Sequence, residues 1–313
     1  MKRAIQLRDP TAARSPENFS AVSLVREGSY RVFDIASTTV SLFLLAASLF
    51  AVYSIGWEFS TQRYLKGFSD AIVPATAPAE EKIDAILAWM VYGPTRLPYQ
   101  PAAFDHDRDP TDTLNYDALL RVCGTATNAF INLANASNLQ VRRLLLLDPD
   151  LMTKHVVAEV LVDGRWIIVD PAYRSVFRDA AGRTLTREEL LSPATFNAAI
   201  QKIPNYLPEY SFENTVHVRL AGLPLMGRPL GRFFNRVFPG WEDSAFATLL
   251  VERESFGAVV ASILLLIFIL ILRASLRWYG EVRLSIQPRR LRERILRAST
   301  VFLEPTMRQP RQL

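Results

Sequence analysis

HVVAEVLVDGRWIIVDP, residues 155–171, decides the fold of this chain. His155–Val162 and Arg165–Asp170 are two runs rich in Val, Ile and Leu, joined by Asp163-Gly164. Asp-Gly between β-prone runs favours a two-residue type I′ turn, so the spacing predicts an antiparallel hairpin. If Val162 faces Arg165 across the turn, Val157 faces Asp170 and His155 faces Ala172. Side chains alternate along a strand, which puts His155, Val157 and Asp170 on one face. His155 and Asp170 are then diagonal neighbours about 7–8 Å apart at the backbone, and imidazole and carboxylate can bridge that gap. A slip of one residue would separate them onto opposite faces.

Upstream lies Cys123, the single cysteine of the chain, which excludes an intrachain disulfide framework. Val122, Ala126, Ala129, Leu133 and Ala136 repeat at helical spacing, so Cys123 is expected to head a helix. A thiol at a helix N-terminus beside a histidine is stabilised as the nucleophilic thiolate by the dipole and by the ion pair. Asp170 would orient His155 and stabilise its imidazolium, and His155 would protonate a leaving group. The Cys123 backbone N–H is a candidate donor to an oxyanion, with Asn115 and Tyr116 as further candidates.

Around this centre, Ala79 to Tyr92 reads as a helix with Glu80 and Glu81 in its first turn. Residues 93–110 form a loop rich in Pro and Asp. Leu114 to Leu120 reads as a short helix and Val141 to Leu147 as a strand. Thr184 to Leu191 and Ser192 to Lys202 read as helices, and Phe212 to Leu220 as a late strand carrying a structural His217. Asp105, His106, Asp107, Asp109 and Asp112 miss the EF-hand pattern because no Glu closes it, so a solvated acidic rim is expected rather than a metal site. No cofactor is expected.

Half of the 313 residues are hydrophobic while 21% are charged, so apolar residues must be clumped. Ile35 to Trp57 and Phe256 to Leu272 carry no charge, and a hydrocarbon core takes about 17–25 helical residues. Arg253 and Arg273 flank the second run and could snorkel. The first run exceeds a signal-peptide core and reads as an anchor. Arg273, Arg277, Arg283, Arg289, Arg290, Arg292, Arg294 and Arg297 follow the second run, which places both termini in the cytoplasm of a bacterial inner membrane. The sequence pI of about 9.4 is explained by this tail and by anionic lipid, with no nucleic-acid reading module present.

The chain is therefore expected to divide into a cytoplasmic segment (1–34), a first span (35–57) and a connector (58–78). An extracytoplasmic, periplasmic domain (79–220), a juxtamembrane amphipathic segment (221–255), a second span (256–273) and a basic cytoplasmic tail (274–313) follow.

Residues 122–145, VCGTATNAFINLANASNLQVRRLL, together with residues 155–171 resemble the transglutaminase-like superfamily. The shared features are a Cys heading a helix, a strand carrying a basic residue, then His, an acidic residue four on, a short turn, Trp and Asp-Pro. The resemblance covers roughly residues 80–175. It implies an α+β, papain-like core in which a Cys-headed helix packs on an antiparallel sheet. It also implies Cys123 as nucleophile, His155 as base and Asp170 as orienting acid, with Glu159 and Trp166 as framework positions. Two features depart from the pattern: Arg121-Val122 precedes the Cys where a Gly is frequent, and Ser137-Asn138 stands where a Gly ends the helix, a site Asn tolerates.

The expected function is a cysteine peptidase, amidase or acyltransferase acting through an acyl-enzyme on a peptide or protein outside the cytoplasm, with hydrolysis preferred. The alternative is a catalytically silent binding or scaffold domain of an envelope-polymer assembly. Sequence does not give the oligomeric state.

Overall fold

A computed structural model describes residues 16–93, 109–115, 119–218, 232 and 234–283. The helices are α1 (Pro16–Ile72), α2 (Ala79–Tyr92), α3 (Pro110–Asn115), α4 (Cys123–Ala136), α5 (Arg187–Leu190), α6 (Pro193–Ile200), α7 (Ala245–Glu252) and α8 (Glu254–Val282). The strands are β1 (Val141–Leu147), β2 (Thr153–Val162), β3 (Arg165–Asp170), β4 (Ser175–Val176) and β5 (Thr215–Val216). They form one antiparallel sheet in the order β4-β3-β2-β1-β5, the α+β architecture expected.

The register is the one the Asp-Gly turn predicts. Val162 pairs with Arg165, Leu161 with Trp166 and Ala158 with Val169. Asp163 and Gly164 both sit at positive φ (49° and 80°), as a type I′ turn demands, and Gly carries the larger value without a Cβ to clash.

Alternation along the strands gives the sheet two apolar faces. Val141, Ala158, Val160 and Val162 share a buried cluster with Ala126, Ala129, Phe130 and Leu133 of α4, and with Ile83, Ile86 and Met90 of α2. Leu144, Val157 and Ile168 instead pack with Phe177, Leu190, Phe196, Tyr206 and Phe212. Covered on both sides, β2 is buried through most of its length.

Several segments differ from expectation for identifiable reasons. Residues 58–77 do not begin as a connector: α1 continues to Ile72, where Leu65 is fully buried against the core. The helix expected at 114–120 is split into α3 and a 3-10 turn at Leu119–Arg121. Only Arg187–Leu190 of 184–191 is helical, because Thr184 and Thr186 bridge to Arg178 and Ile167, and Thr186 then closes a capping box with Glu189. β5 is shorter than the strand expected from Phe212, whose ring turns into the core instead. Arg253, expected to snorkel, is 3% exposed.

That arginine belongs to a buried polar layer behind α4. Its guanidinium donates to Asn132 Oδ1 at 2.8 Å and to Glu58 Oε1 at 3.1 Å, and Ser255 donates to Glu58 Oε2 at 2.6 Å. Glu252 pairs with Arg143 of β1, and Asn128 of α4 donates to the same carboxylate. One layer thus ties α1, α4, β1, α7 and the start of α8 together.

Among the described residues, two helices are long and apolar enough to cross a membrane, one within Arg31–Ile72 and the other α8. They are not core helices, since Leu42, Phe43, Leu49, Leu264 and Phe268 are all exposed. Among the described residues, those up to Leu49 and those from Leu264 form one compact unit, and those between form another. In the first, Val40 and Ala47 pack on Ile269.

Removing one partner of a buried ion pair strands the other charge. Arg253→Ala is expected to destabilise the domain by about 3–5 kcal/mol. A thermal melt of the detergent-solubilised chain checks this, and an unchanged melting temperature contradicts it.

Candidate active site

Cys123 opens α4 because Val122, at φ −96° and ψ 129°, is extended and offers no side-chain cap. The amides of the first turn have no acceptor inside the helix, so they and the dipole favour negative charge there. Cys123 is half-buried against Leu145, Leu147 and Val156. Thr127 of α4 donates to the Val156 carbonyl at 3.0 Å, which fixes the helix to β2 one residue from His155.

His155 and Asp170 meet as the register requires. His155 Nε2 lies 2.7 Å from Asp170 Oδ2, and both residues are buried. The second carboxylate oxygen accepts the Tyr173 N–H at 3.1 Å. Asp170 therefore holds the imidazole through Nε2 and leaves Nδ1 as the other ring nitrogen, while His155 and the Cys123 thiol each favour the charged form of the other.

Electrostatics follow from these contacts. Burial alone would pull the His155 pKa down, but its bonds to Asp170 and Cys123 outweigh that and push it from 6.5 up to about 9. Burial alone would push the Cys123 thiol up. The His155 bond and charge, with the Val156 and Gly124 amides, bring it below the ordinary value. The two shifts are opposite in sign, so each group favours the charged form of the other.

The sequence reading contained no aromatic wall, yet Tyr173, Tyr206 and Tyr210 surround His155 at centroid distances of 5.8, 6.2 and 4.3 Å. Nothing in their spacing marks them, because Tyr206 and Tyr210 lie in a loop after α6. Burial first, and then the Asp170 charge, push the Tyr206 hydroxyl pKa far up.

Glu159 and Trp166 build a second polar cluster. Glu159 pairs with Arg142 and, at 2.7 Å, with His217 Nε2, while Arg142 lies 4.1 Å from the Trp166 ring centroid. His217 Nδ1 also reaches Asp243 at 2.6 Å. Burial would raise the Glu159 pKa, but the His217 bond and the Arg142 charge hold it below the usual value. This cluster pins β1, β2, β3 and β5 together. Asn115 is occupied with the Tyr64 hydroxyl at 3.2 Å. Tyr116, Asp105, His106 and Asp107 lie outside the described residues, whereas Asp109 accepts backbone bonds from Asp112 and Thr113.

Residues 66–171, about a third of the chain, match the family model of the transglutaminase-like superfamily. The matched stretch takes in Cys123 and His155 and ends one residue past Asp170. The chain thus carries a transglutaminase-like domain over these residues. No curated protein and no solved structure matches the chain.

Asp170→Asn removes the charge that offsets burial at His155. With selectively labelled histidine, the His155 NMR titration is expected near pH 9 in the native chain and back toward 6.5 in the variant. An unchanged midpoint contradicts this account.

Proposed function

We propose that this chain is a membrane-anchored thiol enzyme that cleaves or transfers amide bonds, with hydrolysis preferred. The observation that carries the reading is Cys123 at the head of α4, with its thiol pKa lowered by His155, whose Nε2 is held by buried Asp170 at 2.7 Å.

In the proposed reaction the Cys123 thiolate attacks a substrate carbonyl carbon. The tetrahedral oxyanion is met by amides of the α4 N-terminus, the Cys123 N–H among them. The C–N bond breaks as the His155 imidazolium gives its proton to the leaving amine, and a thioester remains on Cys123. Neutral His155 then takes a proton from water, the resulting hydroxide attacks the thioester, and a carboxylic acid leaves. Thiolate and imidazolium are restored. Water as acceptor gives hydrolysis, and an amine in its place would give transfer.

The two apolar helices and the Arg-rich tail support an inner-membrane anchor with both termini cytoplasmic and the thiol domain outside. Peptide or protein is the proposed substrate, reached on that side. Exposed Arg232, Arg236 and Phe238 suit a position at the headgroups just before α8.

Because Cys123 is the only cysteine, a membrane-impermeant iodoacetamide derivative reports on one site. In spheroplasts at pH 6–7 it should label the native chain from outside, faster than free cysteine, and His155→Ala should slow it at least about tenfold. Labelling only after lysis contradicts the orientation. A rate no faster than free cysteine contradicts the activated thiol and favours a silent binding domain.

A further inference from the structure

Asp170 holds one edge of the His155 ring, but its face is covered by a residue outside the matched family region. Tyr210 lies parallel to the imidazole, with centroids 4.3 Å apart and planes 2° apart. Parallel stacking fixes the plane of the imidazole, and a cation over an aromatic face is attracted to it. The geometry therefore accommodates His155 in its charged form as well.

The loop that carries Tyr210 is tied to the site at several points. Tyr210 N–H donates to the Leu207 carbonyl at 3.1 Å. Tyr206 stands edge-on to Tyr210 at 5.8 Å and lies 4.6 Å from Tyr173. Lys154, next to His155, pairs with Glu209 at 3.8 Å. The titratable and charged groups at His155 are thus Cys123 from α4, Asp170 from β3, Tyr173 just after it, Tyr206 and Tyr210 from the loop, and the exposed Lys154–Glu209 pair.

We propose that Tyr210 is a positioning residue whose ring face holds the His155 imidazole in the plane that serves Cys123 and Asp170 at once, and supports its positive charge. This rests on the reading of Cys123 and His155 as the reactive pair. Stacking restricts rotation of the ring about its side-chain bonds. Loss of the aromatic face releases that rotation and removes a favourable partner of the imidazolium, so the thiolate loses its counter-charge.

The test is the pH profile of Cys123 alkylation by iodoacetamide on the full chain in detergent, for the native protein, Tyr210→Phe, Tyr210→Leu and Tyr210→Ala. The native chain and Tyr210→Phe should share a thiolate midpoint below the ordinary thiol value. Tyr210→Leu, which keeps the bulk and guards against misfolding, and Tyr210→Ala should both shift that midpoint upward and alkylate about tenfold more slowly at pH 6. An activated native profile with unchanged Leu and Ala variants overturns the assignment of Tyr210 alone. A Phe variant as slow as Ala also overturns it, since the hydroxyl rather than the ring face would then matter. An ordinary thiol profile in the native chain removes the reactive pair, and the role of Tyr210 with it.

Discussion

Two consecutive residues at positive φ, Asp163 and Gly164, set the pairing of β2 with β3, and the proposed chemistry depends on that pairing. Because side chains alternate, a slip of one residue would turn either His155 or Asp170 to the opposite face and leave a carboxylate buried without its partner. The buried strands on both sides of the turn reinforce the register, since Val157 and Ile168 pack on that face against Phe177 and Phe212 and a slip would break that packing. The short turn and the long apolar strands specify one arrangement together.

Burial then has opposite consequences for the parts of the site. Desolvation works against both a charged histidine and a charged thiol, and each would be neutral if buried alone. Together, with Asp170 behind the imidazole and first-turn amides at the sulfur, each supplies the other with the charge it lacks. The same logic operates behind α4, where Glu58, Arg143, Glu252 and Arg253 are buried as pairs. Those pairs hold the catalytic helix against α1 and the start of α8, so the position of Cys123 depends on contacts far from the sulfur.

How much of this was legible in the sequence followed the range of the interactions. The hairpin turn and register, α2, the start of α4 and the β1 and β3 boundaries rest on local periodicity and turn chemistry and emerge as expected, while β2 begins two residues earlier, at Thr153. His155–Asp170 was legible because a two-residue turn converts spacing into geometry. The end of α1 was not, since Leu65 gains its partners only in the folded core. Arg253 was misread because a basic residue beside an apolar run has the same local pattern whether it faces headgroups or a buried glutamate. Tyr210 reaches His155 across a loop with no repeat to announce it, so only the fold brings the two rings together.

The central claim is that His155 and the α4 amides lower the Cys123 thiol pKa, and the single cysteine makes that directly measurable by thiolate absorbance near about 240 nm against a Cys123→Ser control. The account predicts a pH-dependent absorbance step below the ordinary thiol value of about 8.5, moving upward in His155→Ala. A step at or above about 8.5 in the native chain would contradict it.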